Sequence, residues 1–463
     1  NTPCSMSVIE SVVKDQKNYF YSGVTRSPKF RKQELRTLKR AIQNHEQQLH
    51  EAMKADFQKP EFESFVSETG YLLRDIDHTL NHLDDWMKPE KKSSSLLSAP
   101  SKSYVMREPY GVSLIIAPWN YPVQLGLAPA IGAIAAGNTV VLKPSEMTPN
   151  TSRALEKMID EFFDRQFFTV VQGAVDETNE LLAQPIDKIF FTGSPAVGKI
   201  IMKAAAENLT PLTLELGGKS PTIVDETASV KTAAKRIASG KFFNAGQTCV
   251  APDYILVHDS VSRKLIEELE KAIHSFFGQN PKDSPDLARI VNEKHFDRLK
   301  AGLDGVKVLI GGGSDRDEKY IEPTVVTDVP EDHMLWNDEI FGPILPIFTY
   351  SSIKEVVEII RSKPKPLAYY HFTRDSKLKK ELLEKLSFGG GTINDTLEHL
   401  IQPDLPFGGV GFSGMGNYHG EDSFLAFSHR KSILEKSDKV DVPLKYPPYK
   451  GKLKWLKRLF KWI

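Results

Sequence analysis

From about Phe30 to Met87 apolar residues recur at three- and four-residue spacing, as in Phe62, Phe65, Val66, Thr69, Leu72, Leu73, Ile76, Leu80 and Leu83. That period matches one buried face of a helix, so the region is predicted helical. The stretch KPEKKSSSLLSAPSKS, Lys88 to Ser103, breaks the pattern with Pro, Ser and Lys and reads as a linker or an excursion. An alternation follows. Strands GVSLIIA, TVVLK, FFTVVQG and KIFFTG lead to helices after Tyr121, from about Pro149, near Glu177 and from Pro195. Short apolar strands alternating with helices predict a parallel sheet covered on both faces, an α/β arrangement, to about Pro211. A second alternating block holds SPTIVD, a helix Ser229–Phe243, YILVH and a helix Val261–Phe277. The strands VKVLIGGG, YIEPTVVTDV and FGPILPIFTY follow, so a second α/β domain is expected. Beyond Phe388 the chain is rich in glycine and turn formers, then basic.

Composition narrows the class. A chain of 463 residues can bury a large core over two or three domains. Its 60 basic and 60 acidic residues cancel, so no global field attracts nucleic acid. Two cysteines, Cys4 and Cys249, exclude a disulfide framework and favour a reducing, cytoplasmic setting. Met6 reads as a start residue, in which case Cys4 carries no meaning. The most apolar run, SLIIAPWNYPVQLGLAPAIGAIAAG, contains three prolines and reads as strand, turn and buried helix rather than a membrane span.

The turn DKIFFTGSPAVGKI carries the first candidate chemistry. Gly193, Gly198 and Lys199 fit a phosphate loop, but Ile200 stands where a hydroxyl must hold magnesium. Pro195 likewise replaces the middle glycine of the dinucleotide fingerprint. What remains is a helix start that Ser194 can cap, with Pro195 at its first position and free N–H groups facing outward. From the loop alone, a capped helix without a ligand stays open. Cys249 in FFNAGQTCVAPDY is a buried apolar residue or a nucleophile, and the small, polar Gly246, Gln247 and Thr248 beside it favour access. Glu215 in TLELGGKSP is a charge inside an apolar strand, either ion-paired, with Lys219 as one partner, or a base with a raised pKa. Glu339 in NDEIFGPILP and Asn120 in APWNYP each have an ordinary reading as well, an exposed helix end and a turn residue. The Asn120 amide is equally suited to donate to an oxyanion.

The stretches PWNYP, GNTVVLKPSE, FTGSPAVGK, LELGGKSP, NAGQTC, EIFGP and LPFGGVGFSGMG occur in that order. Together, from about Phe30 to Lys436, they resemble the aldehyde dehydrogenase superfamily. NAGQTCVAPDY and GMGNYHG look most like its class-three branch, which handles fatty and aromatic aldehydes. The resemblance implies a Rossmann-like parallel-sheet NAD(P)-binding domain over 7–211, with 88–108 as a linker or bridging excursion. It also implies an α/β catalytic domain over 212–407, a return to the cofactor or bridging region over 408–449, and a tail over 450–463. The chain starts near the first cofactor-domain helices, which implies a homodimer rather than a tetramer. Glu421 stands where the family usually has a basic residue, so contacts there are expected to differ.

By the same resemblance Cys249 attacks the aldehyde, and the Asn120 amide with the Cys249 N–H holds the oxyanion. Hydride passes to a nicotinamide, leaving a thioester, and Glu215 activates the water that releases the acid. Trp119, Lys143, Glu146, Gly193, Ser194, Val197, Gly198, Leu216, Glu339 and Phe341 match cofactor-binding positions. Lys143 and Glu146 face the adenosine ribose, Gly193, Ser194 and Gly198 the pyrophosphate, and Glu339 and Phe341 the nicotinamide ribose. Glu146 favours a free 2′-hydroxyl by charge, so NAD is expected, with NADP as the alternative. No Cys/His cluster has metal-ligand spacing, so no metal is expected. Two rivals remain: a CoA-acylating relative, which retention of Glu215 disfavours, and a non-catalytic structural or binding protein on the same scaffold. The tail KGKLKWLKRLFKWI, Lys450 to Ile463, has six basic residues and an apolar stripe, too short to span a bilayer but suited to lie on one. Packing against the dimer partner is the competing reading for it.

Overall fold

A computed structural model describes residues 7–95, 98–441 and 443–460; Cys4, Met6 and the last three residues of the tail lie outside this range. The helical opening contains helices Pro28–Phe57 and Gly70–Trp86, preceded by a helix Val8–Tyr21 that the spacing did not announce. Ser27 caps the long helix through the Phe30 N–H, with Pro28 in its first turn. Between the two helices lie Glu61–Ser64 and a single π-turn, Phe65–Thr69. That wider turn breaks the 3.6-residue period. Phe62, Phe65 and Val66, expected on the buried stripe, are exposed, Val66 at the wall of the cavity described below, while Thr69 is buried as expected and Glu63, Ser64 and Glu68 are buried with it.

The first alternating block forms a six-stranded sheet in the order Gly414–Met415, Leu212–Leu216, Lys188–Gly193, Val112–Ile116, Thr139–Lys143, Phe168–Val170. All neighbours run parallel except the two-residue edge. The helix Gln124–Ala136 is buried along its whole length, and every residue from Leu125 to Ala136 is small or apolar. The second block forms a seven-stranded sheet with Tyr254–His258 and Pro221–Val224 near its centre. It is parallel apart from the edge strand Lys307–Ile310. Helices Ile353–Ser362 and Ser376–Lys385 and the strand Ala368–Phe372 complete it and have no counterpart in the sequence expectation. Within the polar 88–108 segment, Glu90–Lys92 and Ser101–Pro109 are strands that join Ser428–Lys436 in a separate three-stranded sheet. Glu421 lies 3.7 Å from Arg107 of that sheet.

Helix Pro149–Phe162 is capped from a distance. Asp56, near the end of the long helix, accepts from the Asn150 and Thr151 N–H groups at 3.0 and 2.8 Å and from both of their side chains. A carboxylate there satisfies orphan donors at the positive end of the helix and locks two elements together. Asp56→Ala is expected to cost about 2 kcal/mol, the range for hydrogen bonds to a charged group, read as a lower thermal-unfolding midpoint with activity at 25 °C retained.

Candidate active site

In a parallel sheet the carboxyl ends of all strands share one edge, where open α/β sheets receive ligands. Asn120 follows Val112–Ile116, Lys143 ends Thr139–Lys143, Gly193 ends Lys188–Gly193, and Leu216 ends Leu212–Leu216. Gly193 and Leu216 are register partners, as are Thr192 and Glu215. The pyrophosphate-loop residues and the glutamate are therefore neighbours through the sheet.

Ser194 is extended and its hydroxyl accepts from the Val197 N–H at 3.3 Å, opening the helix Pro195–Glu207. Val197 is partly exposed, so this helix start is open to solvent. A Cβ at Gly198 would come within 2.8 Å of Leu216 Cδ2, so helix and strand approach closely here and a side chain at this position must displace the Leu216 tip. Lys143 is buried, donates to the Pro144 carbonyl at 2.8 Å, and lies 3.6 Å from the half-exposed Glu146. Burial pushes the Lys143 ammonium below its usual range, and Glu146 opposes that shift. Trp119 packs edge-on against Phe341 with ring centroids 5.3 Å apart. These residues fit a dinucleotide: a capped helix start for phosphates, a charged pair at a neighbouring strand end, and an aromatic wall.

Cys249 is presented by an irregular loop. Asn244, Ala245 and Gly246 have φ of 54°, 52° and 73° in succession. A Cβ at Gly246 would fall 2.3 Å from the Gly342 carbonyl oxygen, so that position requires glycine. Hydrogen bonds hold the turn. Gln247 Nε2 donates to the carbonyls of Asn244 and Arg289, and Gln247 Oε1 accepts from the Val291 N–H. Asn120 reaches across from the other sheet, its Nδ2 donating to the Gln247 carbonyl at 3.0 Å. Asn244 Nδ2 returns a bond to the Asn120 carbonyl at 2.9 Å. One hydrogen of the Asn120 amide is thereby used and the other remains for a ligand. Tyr121 Oη and Thr248 Oγ1, 2.6 Å apart, add a second tie beside the thiol.

Two acids face this thiol. Glu215 is buried, and neither carboxylate oxygen has a hydrogen-bond partner among the described residues. Lys219, the partner considered from sequence, instead binds Asp253 at 2.7 Å and the Asp338 carbonyl at 2.8 Å. Burial alone drives the Glu215 carboxyl well above the ordinary range. Glu339 is not an exposed helix end: its carboxylate lies against Gly217, where a Cβ would come within 1.9 Å of Oε2. Burial and Asp253 raise it to about 8, against the pull of the Gly218 N–H, Lys219 and Arg298. The Cys249 thiol is pushed upward by burial first, then by Glu339 and Glu215. Burial thus disfavours the anionic form of the thiol and of both acids.

A cavity of about 850 Å³ opens onto Cys249, lined among others by Tyr121, Phe243, Thr248, Leu400 and Tyr418. Sequence reasoning missed these residues; only the positions of Tyr121 and Thr248, next to Asn120 and Cys249, hinted at them. Among the described residues no group of three His, Cys, Asp or Glu is placed to hold a metal ion.

Residues 4–433 match the aldehyde dehydrogenase family. A 4,4′-diaponeurosporen-aldehyde dehydrogenase of Staphylococcus aureus is 50% identical over 98% of this chain and 100% of its own length. The dimeric NADP-preferring aldehyde dehydrogenase of Rattus norvegicus is 44% identical over 97% of this chain and 99% of its own. A solved substrate-bound state of Staphylococcus aureus AldH superposes with a TM-score of 0.96 at 49% identity, covering 98% of this chain and 100% of that one. The chain therefore belongs to the aldehyde dehydrogenase family and is an enzyme of NAD(P)-dependent aldehyde oxidation.

Proposed function

We propose that this enzyme oxidises apolar aldehydes, fatty or aromatic, to carboxylic acids through a covalent route on Cys249. The observation that carries this reading is Glu215, a buried carboxyl facing the thiol with both oxygens unpartnered among the described residues. Burying such a group without a partner is costly, and a general base is the task that needs one.

The Cys249 thiol gives up its proton to solvent, Sγ attacks the carbonyl carbon, and the carbonyl oxygen becomes an oxyanion beside Asn120 Nδ2 and the Cys249 N–H. Gln247 already holds the Asn120 amide, so the donor is oriented before substrate arrives. When bound, the nicotinamide supplies a hydride acceptor, and the acyl group remains on Cys249 as a thioester. Glu215 takes a proton from water, the water oxygen attacks the thioester carbon, and the C–S bond breaks to release the acid. Retention of this base supports water rather than CoA as acyl acceptor.

The cofactor reading is NAD, with NADP as the alternative. It rests on Glu146, whose charge beside Lys143 disfavours a 2′-phosphate, while a relative named as NADP-preferring keeps the alternative alive. Residues 7–211 carry the dinucleotide, 212–407 the thiol, and 408–449 return to the cofactor or bridging region. A homodimer is supported by the outer edge of Ser428–Lys436, which pairs with no strand among the described residues, and by the relative named as dimeric. The free thiol of Cys249 supports a reducing, cytoplasmic setting.

The apolar cavity and the relative named for diaponeurosporen-aldehyde support a hydrophobic substrate. Among the described residues no helix is long and apolar enough to cross a membrane. Helix Lys452–Leu459 exposes Leu453 and Trp455 beside Lys454, Lys457 and Arg458, and Phe460 follows, also exposed. That surface suits peripheral contact with an anionic bilayer, where such aldehydes dissolve.

Cys249→Ala is expected to abolish NADH formation with aldehydes. Glu215→Gln keeps a pre-steady-state burst of NADH but loses about 10²–10⁴-fold in steady turnover, because acyl release loses its base. A rapid-quench burst followed by steady-state rates separates the two steps, and unimpaired turnover in Glu215→Gln would sink the base assignment. Glu339→Gln removes a negative charge that raises the Cys249 pKa. The pH–rate limb for iodoacetamide alkylation of Cys249 then shifts to lower pH, visibly above about pH 8, where Glu339 is ionised in the wild type. A shift the other way contradicts the electrostatic account. Deleting residues 450–463 abolishes co-sedimentation with anionic liposomes and spares activity on short, soluble aldehydes; unchanged co-sedimentation refutes the membrane role.

A further inference from the structure

Three buried charged groups that take no part in the proposed chemistry lie close together between the long helix and the end of the π-turn: Lys59 in the connection, Glu63 in the short helix Glu61–Ser64, and Glu68 in the π-turn. Lys59 is fully buried and its Nζ lies 2.5 Å from Glu68 Oε1, also fully buried. Glu68 Oε2 accepts from the Val123 and Gln124 N–H groups at 2.8 and 3.0 Å. It thus caps the helix Gln124–Ala136, which has no side-chain cap of its own. The Lys59 ammonium also stands 4.0 Å over the Tyr121 ring, whose hydroxyl meets Thr248. Glu63 Oε2 accepts from the Asn244 N–H at 3.0 Å, at the first left-handed residue of the Cys249 loop.

The π-turn explains how one short segment reaches both loops. Its i→i+5 hydrogen bonding winds the chain more slowly, so Glu63 and Glu68, five apart, face the same side. A Cβ on Gly70 would sit 2.9 Å from the Phe65 carbonyl oxygen, so the glycine relieves crowding at the end of that turn. The apolar side chains of the segment are exposed in consequence. Both the exposed phenylalanines and the buried ion pair cost stability, and a buried pair contributes little net stability of its own. Such a cost is understandable where geometry, rather than stability, is what the charges secure.

We infer that Lys59, Glu63 and Glu68 are positioning residues that set the oxyanion donor Asn120 against the thiol of Cys249. Lys59 and Glu68 hold the Asn120–Gln124 side, through the Tyr121 ring and the helix start. Glu63 holds the Asn244–Cys249 side. Both sides are fixed from one short continuous segment, Lys59 to Glu68, so their separation is set by that segment rather than by two loops adjusting independently. None of the three touches substrate, cofactor or a reacting atom. The inference rests on the covalent mechanism proposed above.

The test uses the full-length enzyme, with NAD and hexanal as probes, and reads kcat/KM, the KM for NAD and the thermal midpoint. Glu63→Leu removes the acceptor for the Asn244 N–H, whereas Glu63→Gln keeps it. Glu63→Leu is expected to lose at least about tenfold in kcat/KM for hexanal, the scale on which small misplacements of reacting groups act, with the KM for NAD unchanged. Glu63→Gln restores activity to within about twofold of wild type, since the hydrogen-bond acceptor is kept. The double variant Lys59→Met/Glu68→Leu, which removes the ion pair together with the acceptor for the Val123 and Gln124 N–H groups, shows a loss like that of Glu63→Leu and covers the case in which Glu63→Leu does not fold. Three results overturn the inference: wild-type kcat/KM in Glu63→Leu and the double variant, equal losses in Glu63→Gln and Glu63→Leu, or losses matched by a raised KM for NAD and a collapsed thermal midpoint. Absence of aldehyde-dependent NADH formation in the wild type would instead refute the mechanism on which the inference rests.

Discussion

The hydrogen bond from Asn120 Nδ2 to the Gln247 carbonyl joins two sheets at the point where the chemistry needs them joined. Asn120 belongs to the carboxyl edge of one sheet and Gln247 to the loop that feeds the other. Asn244 closes the circuit by donating to the Asn120 carbonyl, and Gln247 anchors it to Arg289 and Val291. In a water-poor setting, each bond in such a ring is expensive to leave unmade, so the two loops have one arrangement that satisfies all of them. The left-handed run Asn244–Gly246 follows from this. Only a sharp reversal brings the Gln247 carbonyl back towards Asn120 while leaving Cys249 at the cavity wall, and that backbone strain is held by the surrounding bonds.

Burial sets the electrostatics of the same place. A thiol that must become a nucleophile is surrounded by groups that disfavour its anion: low polarity, Glu339 and Glu215. The acids are themselves raised, Glu215 by burial and Glu339 to about 8 by burial and Asp253. The same low polarity disfavours charge on the thiol and on both carboxyls, and an oxyanion donor already in place stabilises the charge that develops during attack. Lys219 is kept out of this balance by its own bonds to Asp253 and the Asp338 carbonyl. Had it paired with Glu215, the carboxylate would hold its charge and lose its use as a base.

Much of this was legible in residue order. The alternation of short apolar strands and helices located the six-stranded sheet, because fully buried strands and their covering helices leave few polar choices. Asn120, Glu215 and Cys249 drew attention because each breaks a local rule (an amide at a strand end, a charge in an apolar strand, a cysteine after small polar residues), but each stayed open until seven motifs in order resembled one family. What escaped was whatever depends on partners far along the chain. The 88–108 segment read as a linker or a bridging excursion without its strands being visible, because Ser101–Pro109 pairs with Ser428–Lys436, more than 300 residues away, and Glu90–Lys92 pairs in turn with Ser101–Pro109. The polar face of Glu63–Thr69 was hidden because Phe62, Phe65 and Val66 imitate a buried stripe, and only the π-turn reverses which side is inside. Lys219, weighed only as one ion-pair partner for Glu215, binds elsewhere, since nearness in sequence says little when the intervening Gly217 and Gly218 let the chain turn away.

The loop FTGSPAVGKI shows how a weak pattern acquires meaning from its surroundings. It fails as a magnesium-dependent phosphate loop at Ile200, whose side chain is exposed and can ligate nothing. It also lacks the middle glycine of the dinucleotide fingerprint, because Pro195 occupies that place. The fold supplies the missing function by other means. Pro195 starts the helix with no N–H to lose, Ser194 satisfies the Val197 N–H, and the close approach that a fingerprint glycine would provide comes from Gly198 against Leu216. Leu216 immediately follows Glu215 in the same strand. On the mechanism proposed above, the contact that seats the helix for a phosphate also fixes the strand that carries the base, so cofactor binding and acyl release would share one piece of backbone.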